Sequence, residues 1–156
     1  RGNQERGLRI GTESLAGAVS LAKAMRMARE KSKDGIRNMS ECRSHILQEL
    51  SGMDNVIINS PKHNVAPHIV NFSVPGLKSE TLVHSLEEVG IYVSTNSACS
   101  SKKKTVSQTL IAMGNNEQIA GSSIRISLDY DHSIEEIDKA LKEIKRAIQM
   151  LSEVSK

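Results

Sequence analysis

At 156 residues and 17.1 kDa the chain has the length of one compact domain. Its net charge of +3 comes from interspersed cations and anions, and only 2% of its residues are aromatic. This composition argues against a nucleic-acid surface, which clusters cations and stacks bases on aromatic rings. No apolar run approaches the ~20 residues that cross a bilayer, and the two cysteines form no C-x-x-C pair. We therefore expect a cytoplasmic protein without a membrane segment. Because the chain starts without Met, in a polar stretch, we also expect a fragment of a longer protein.

The first third of the chain predicts two consecutive helices. Thr12 caps the first, whose apolar residues recur at spacings of three and four until Asp34 and Gly35. The second helix ends at Ser51. Its apolar stripe consists of Met39, Cys42, Ile46 and Leu50. Cys42 is therefore expected on a side that faces the core.

The middle of the chain predicts short strands and one helix. Strands are expected at 56–58, at 70–74, where apolar and polar residues alternate, and at 91–93. A helix begins at Ser79 and ends before Gly90. Residues 94–104, STNSACSSKKK, lack apolar periodicity and predict a loop.

The last third predicts a helix, a strand and a long final helix. Thr105 and Gln108 form a capping box for the first of these helices. Residues 124–128 alternate as a strand that turns Arg125 away from the apolar side. The final helix opens with the capping pair Ser133 and Glu136. Together these elements predict an α+β domain of two layers, with helices on one face of a small sheet.

Cys99 lies in the predicted loop, next to Lys102, Lys103 and Lys104 and ahead of a helix N-terminus. Both sources of positive potential favour the thiolate, which is the nucleophilic form of cysteine. A small side chain that fills space under the loop fits the same position. A run of three lysines is also typical of a solvated turn. From the residues alone, both interpretations of Cys99 stay open.

Two further residues are suited to binding anions. Arg125 presents a planar, two-pronged cation that suits a carboxylate. Thr12 offers a hydroxyl and backbone N–H groups at a helix start, where phosphates bind. Each position alone is also compatible with an ordinary surface residue. The five histidines show neither metal-ligand spacing nor a pairing with Cys99, so that we expect no metal site.

Four segments, taken in their order, resemble the pyridoxal-phosphate-dependent cysteine desulfurases, the NifS/IscS-like members of the class V aminotransferases. They are QERGLRIGTES at 4–14, PHIVNFS at 67–73, STNSACSS at 94–101 and SSIRISL at 122–128. The resemblance runs nearly end to end and concerns the C-terminal part of that family. It implies the small C-terminal domain of a fold-type I transferase at 36–156. Residues 1–35 would contain a long linking helix leading out of a large cofactor-binding domain.

The resemblance also implies roles for the three candidate residues. Cys99 matches the cysteine that attacks the sulfur of cofactor-bound L-cysteine, which leaves L-alanine and an enzyme persulfide. Arg125 matches the arginine that holds the substrate carboxylate. Thr12 matches the threonine that reaches the cofactor phosphate of the neighbouring subunit in the homodimer, although Ile10 replaces the usual serine. The persulfide sulfur passes to acceptor proteins, in pathways such as iron-sulfur cluster assembly.

The lysine that anchors pyridoxal phosphate in this family stands upstream of the segment with which this chain begins. We therefore expect the isolated chain neither to bind the cofactor stably nor to act on L-cysteine, whereas the full-length enzyme does both. A selenocysteine lyase, which has the same architecture, is an alternative enzyme class. A related transaminase is another, although it would leave Cys99 without a role. A non-enzymatic module that docks sulfur acceptors through the loop and the lysine run is a further alternative.

Overall fold

The computed structural model describes residue 11 and residues 13–95 and 106–154. The chain divides into two compact units, Arg1–Lys33 and Asp34–Lys156. The second unit contains the sheet. The expected assignment of 36–156 to a small C-terminal domain that follows a large cofactor-binding domain stays a prediction.

Helices and short strands alternate along the described residues. In chain order they are α1 (Leu15–Ser51), β1 (Ile57–Ile58), β2 (Ile69–Ser73), α2 (Ser79–Glu87), β3 (Ser94–Thr95), α3 (Gln108–Ala112), α4 (Glu117–Gly121), β4 (Ser123–Ser127) and α5 (Ile134–Val154). The strands pair in the order β1-β2-β4-β3, and every pair is antiparallel. The longest ladder joins β2 to β4, from the pair of Ile69 with Ser127 to the pair of Ser73 with Ser123.

The core lies between one face of this sheet and the helices α1, α2 and α5. Val70 and Phe72 of β2 and Ile124 of β4 are completely buried. The helices contribute aliphatic side chains to the same cluster, among them Ile46, Leu50, Leu82, Leu86, Ile144 and Ile148. Burying each such side chain contributes roughly 1.5–3 kcal/mol. The predicted α+β fold with helices packed on a small sheet is confirmed, and the structure shows that the sheet is antiparallel.

Gly35 lies inside α1, so the helix end predicted at Asp34 and Gly35 is wrong. Gly35 is buried, and a Cβ atom at this position would lie only 2.7 Å from Cγ of Tyr130. The glycine thus lets the tyrosine ring contact the helix backbone, and it does not end the helix. Asn38, one turn later, donates to the backbone oxygens of Tyr130 at 2.9 Å and His132 at 2.7 Å. These contacts hold the segment before α5 on α1.

The strand predicted at 91–93 lies further along the chain, at Ser94–Thr95. Gly90 adopts a positive φ of 80°, which glycine tolerates without strain. The backbone N–H of Ile91 then bonds back to the carbonyl of Leu86 at 2.9 Å. Because residues directly after Gly90 complete the end of α2, the chain reaches β4 only at Ser94.

The capping box predicted for α3 is wrong, because Ser107 is the N-cap and Gln108 the first helical residue. The Ser107 hydroxyl oxygen accepts a hydrogen bond from the backbone N–H of Leu110 at 3.4 Å. Thr105 lies outside the described residues. The sequence interpretation also missed α4, whose cap is Asn116.

The capping pair predicted for α5 is confirmed. A carboxylate oxygen of Glu136 accepts from the backbone N–H of Ser133 at 2.8 Å and from its hydroxyl at 3.0 Å. The Ser133 hydroxyl oxygen accepts in turn from the N–H of Glu136 at 3.2 Å. The bonds from Ser133 lower the pKa of Glu136, because they stabilise its carboxylate form.

Candidate functional site

The sheet face opposite the core carries polar side chains. Arg125 on β4 lies opposite Asn71 on β2 and Ser94 on β3. Ser123 lies opposite Ser73 in the next row on the same face. Successive side chains of a strand point to opposite sides. The predicted orientation of Arg125, away from the apolar side, is therefore confirmed by its pairing and by its exposure.

A cavity of about 450 Å³ lies over this polar face. Its polar lining comes mainly from Arg125, Asn59, Asn71, Ser94, Ser107 and Thr109, with Leu110 and Met113 as apolar neighbours. Among the described residues, nothing forms an ion pair or a hydrogen bond with the Arg125 guanidinium. Within the same residues no acidic side chain and no lysine lines the cavity. A free guanidinium among amides and hydroxyls suits a carboxylate ligand.

Asn59 forms part of the cavity wall and holds a network of buried hydrogen bonds. Its side-chain Nδ2 donates to Oδ1 of Asn71 and to Oγ of Ser73, both at 2.7 Å. The Ser73 hydroxyl donates to the carbonyl of Ile119 at 2.7 Å. Asn59 is only 8% exposed, and its Oδ1 is buried without a hydrogen-bond partner among the described residues. A buried oxygen without a partner costs free energy, so this network forms at the expense of one hydrogen bond.

The sequence interpretation missed Asn59 and Asn71. A signal for Asn71 was available, because residue 71 alternates with the buried Val70 and Phe72 and therefore lies on the face that Arg125 shares. No comparable signal existed for Asn59. It follows β1 outside any strand, and only the fold brings it to β2.

Cys99 and Thr12, the other predicted site residues, lie outside the described residues, as do Lys102, Lys103 and Lys104. Thr95, at the end of β3, lines the cavity. Cys99 follows it four positions later in the sequence. The catalytic role of Cys99 and the phosphate-binding role of Thr12 stay predictions. The helix cap predicted at Thr12 is wrong, because α1 begins at Leu15 and the Ser14 hydroxyl oxygen accepts from the backbone N–H of Gly17 at 3.3 Å.

Cys42 is completely buried, as its place on the apolar stripe of α1 predicts. Its thiol lies 3.6 Å from the carbonyl oxygen of His132, to which it donates. Burial raises the pKa of the Cys42 thiol, so that the thiol form is favoured over the thiolate. Cys42 is therefore a packing residue and not a nucleophile.

The partners of the described histidines are local or structural. The pairs are His45 Nε2 with Asp138 Oδ1 at 2.5 Å, His84 Nδ1 with Glu87 Oε2 at 3.0 Å, and His132 Nδ1 with the N–H of Asp129 at 2.7 Å. In the part of the chain that the structure describes, no three His, Cys, Asp or Glu side chains are grouped to hold a metal ion. No helix in that part is both long and apolar enough to cross a membrane.

A larger cavity of about 500 Å³ lies between residues 89–93 and α5. Aliphatic side chains such as Ile91, Val93, Ile137 and Leu141 form much of its wall. It contains none of the predicted site residues. Because specific recognition needs placed polar groups, the cavity at Arg125 is the better candidate for chemistry despite its smaller volume.

Comparison with known proteins places this architecture in a family. Residues 2–140 match the family model described as aminotransferase class-V. A solved structure of a NifS-like protein superimposes with a TM-score of 0.80 and 34% identity, covering 97% of this chain and 38% of its own. The chain belongs to the class V aminotransferase family.

Within that family the similar proteins are NifS- and IscS-like. A NifS/IcsS protein homolog of Lactobacillus delbrueckii subsp. bulgaricus is 39% identical over 155 residues. A cysteine desulfurase IscS of Clostridium botulinum is 35% identical over 157 residues. Each alignment covers 99% of this chain and 40% of the relative. The chain therefore spans about two-fifths of the length of the curated relatives it matches.

Proposed function

We propose that the chain is part of a cysteine desulfurase, which converts L-cysteine to L-alanine and retains the sulfur as a persulfide on Cys99. The observation that carries the proposal is the free Arg125 guanidinium, which faces a polar cavity beside the strand that leads to Cys99. Family membership supplies the reaction class. Arg125 supplies the binding site that an amino-acid substrate requires.

Arg125 binds the substrate carboxylate in this proposal. Its strand β4 lies between β2 and β3, so that its backbone is hydrogen-bonded on both sides. The planar guanidinium forms two parallel hydrogen bonds with a carboxylate. A cation on a strand paired at both edges loses little backbone freedom when the ligand binds, which favours accurate positioning of the substrate.

Cys99 acts as the nucleophile. Four residues of chain reach at most ~14 Å, so that the sequence distance from Thr95 allows Cys99 to approach the cavity. Positive potential from the neighbouring lysines favours its thiolate. In the net reaction, an S–S bond forms between Cys99 and the substrate sulfur while the substrate C–S bond breaks. The hydrogen lost by the Cys99 thiol balances the one that completes the methyl group of L-alanine.

Pyridoxal phosphate supplies the electron sink for breaking the C–S bond in such enzymes. The described cavity lining fits the carboxylate end of the substrate and does not fit the cofactor. It has neither a lysine to anchor the cofactor nor a carboxylate to pair with its pyridine nitrogen. In our proposal these groups come from the remainder of a longer protein. Thr12 of a neighbouring subunit contacts the cofactor phosphate, and acceptor proteins receive the sulfur.

The test uses the longer protein that contains this chain, supplied with pyridoxal phosphate and L-cysteine. After quenching with a thiol-alkylating reagent, peptide mass spectrometry is expected to find one added sulfur atom on Cys99, with a matching amount of L-alanine. Cys99→Ala removes both products. Cys42→Ala is the control, because Cys42 is a buried packing residue, and it retains both. L-alanine formed without any modification of Cys99 would contradict the proposal.

A further inference from the structure

We propose that Asn71 is a second carboxylate-binding residue, whose side-chain NH₂ group faces the cavity beside Arg125 because a hydrogen-bond relay through Asn59 fixes its orientation. The inference rests on the proposed function in one respect, namely that the ligand is the carboxylate bound by Arg125. It adds a positioning residue, Asn59, that does not touch the ligand.

The relay starts at a group that cannot reverse. The backbone carbonyl of Ile119 can only accept a hydrogen bond, so the Ser73 hydroxyl, 2.7 Å away, must donate its single hydrogen to it. Ser73 Oγ is then left as an acceptor for the Asn59 side chain, also 2.7 Å away. The Asn59 atom that faces Ser73 must therefore be its NH₂ group.

The same NH₂ group of Asn59 also lies 2.7 Å from the side chain of Asn71. Because it donates there as well, the Asn71 atom facing it must be the oxygen, and the Asn71 NH₂ group is left for the cavity. This direction leaves Oδ1 of Asn59 buried without a hydrogen-bond partner among the described residues. Reversing the Asn59 amide would bring that oxygen against Ser73 Oγ, which has no hydrogen left to donate.

The backbone of Asn71 is held as firmly as its side chain. Its N–H donates to Oγ of Ser60 at 2.7 Å, and its carbonyl accepts from the N–H groups of Asn59 at 3.0 Å and Ser60 at 3.1 Å. Among the described residues, only Asn59 forms a hydrogen bond with the Asn71 side chain. The NH₂ group is thus positioned in advance and free to bind a ligand.

Asn71 and Arg125 form a directly opposed pair on neighbouring strands, and both line the cavity. Side chains of such pairs start from Cβ atoms ~4.5–5.5 Å apart. A carboxylate bound by the guanidinium therefore lies within reach of the Asn71 NH₂ group. Because this donor is neutral, it adds a hydrogen bond without adding a second charge, and thus orients the carboxylate.

The test measures two constants on the longer protein with pyridoxal phosphate: KM for L-cysteine, and Ki for 3-mercaptopropionate, a thiol carboxylate without an amino group. Asn71→Ala is expected to raise both by about 3- to 10-fold, the effect of one hydrogen bond, with little change in kcat. Asn71→Asp is expected to raise both further, because its carboxylate repels the ligand and pairs with Arg125. Asn55→Asp is the control, since it makes the same change at an exposed residue outside the cavity.

Asn59→Asp tests the relay without altering a ligand-contacting group. An aspartate has no hydrogen for Ser73 or Asn71, so the Asn71 amide reverses and turns its oxygen to the cavity. We expect the same rise in KM and Ki as for Asn71→Ala. If this buried substitution prevents folding, the two Asn71 variants still decide the proposal. A merely structural role would lower the unfolding temperature and kcat while leaving Ki unchanged.

Arg125→Ala separates the two proposals. In one outcome, Arg125→Ala raises KM and Ki, whereas both Asn71 variants stay within about twofold of the wild type, which is less than the effect of one hydrogen bond. The role of Asn71 is then wrong, and the carboxylate site at Arg125 stands. If Arg125→Ala also leaves both constants unchanged, the carboxylate site itself is wrong. Parallel increases in all three variants support both.

Discussion

Gly35 has no side chain, and this absence lets Tyr130 contact the backbone of α1. A Cβ atom there would lie 2.7 Å from Cγ and 2.8 Å from Cβ of Tyr130. Atoms of the tyrosine near its own backbone cannot swing away as the tip of a flexible side chain can. In a helix interior, alanine is ordinarily more stable than glycine by about 1 kcal/mol. At this residue, crowding outweighs the helix propensity.

Gly35→Ala is therefore expected to lower the free energy of unfolding by about 1–3 kcal/mol, the usual cost of overpacking. Urea unfolding followed by circular dichroism measures the change. Gly121→Ala, at the end of α4, is the matched control, because a Cβ atom there meets nothing within 4 Å. We expect no loss of stability for that variant. Equal effects of the two substitutions on stability would show that crowding against Tyr130 does not explain the effect of Gly35→Ala.

The elements are held by local hydrogen bonds at their ends as well as by the core. The Ser133–Glu136 pair satisfies backbone and side-chain donors at the start of α5. Between α1 and α5, Lys145 donates to a carboxylate oxygen of Glu49 at 2.6 Å, and this bond lowers the pKa of Glu49. Both carboxylates are ionised in the folded state at a lower pH than in the unfolded chain. Their contribution is therefore present above the ordinary value of 4.5 and is lost as the pH falls through the lowered pKa.

Glu136→Gln is expected to lower the unfolding temperature at neutral pH, because the amide replaces a charge-assisted acceptor for Ser133. The difference from the wild type should shrink as the pH falls below the ordinary carboxyl pKa of 4.5. Thermal unfolding at a series of pH values measures it. Glu135→Gln removes the same charge one residue away and is the control. A difference that stays constant down to strongly acidic pH would refute the linkage to Glu136.

At the scale of the whole molecule, the cavity at Arg125 lacks, among the described residues, the groups that would hold pyridoxal phosphate. Arg125 and Asn71 line the cavity, whereas a lysine or a carboxylate does not within the described ranges. The relatives are about two and a half times as long as this chain, judged from the 40% of each that the alignments cover. We infer that the catalytic site needs parts of the relatives that lie outside the aligned region.

The purified chain with added pyridoxal phosphate is therefore expected to release no L-alanine from L-cysteine, and to leave the absorption spectrum of the cofactor unchanged. Amino-acid analysis of the reaction mixture and a spectroscopic titration measure the two outcomes. The longer protein is the positive control, and a Cys99→Ala chain controls for contaminating enzyme. L-alanine release by the chain, absent from its Cys99→Ala variant, would show that the cavity and Cys99 are sufficient.

Patterns of apolar residues determined most of the fold. The alternation at 70–74 and 124–128 predicted the two long strands, and the stripe from Met39 to Leu50 predicted the buried position of Cys42. The strand period also predicted the orientation of Arg125. These predictions succeed because burial depends on which face of an element a residue occupies, and that follows from local spacing.

Only the tertiary structure decided the contacts between residues that are distant in sequence. Gly35 lies inside a helix, where its missing side chain makes room for Tyr130, which is far along the chain. Asn59 reaches Asn71 because β1 pairs antiparallel with β2, and Asn71 reaches Arg125 because β2 pairs with β4. A local pattern carries no information on strand order or register, and these two features bring the polar side chains of the cavity together.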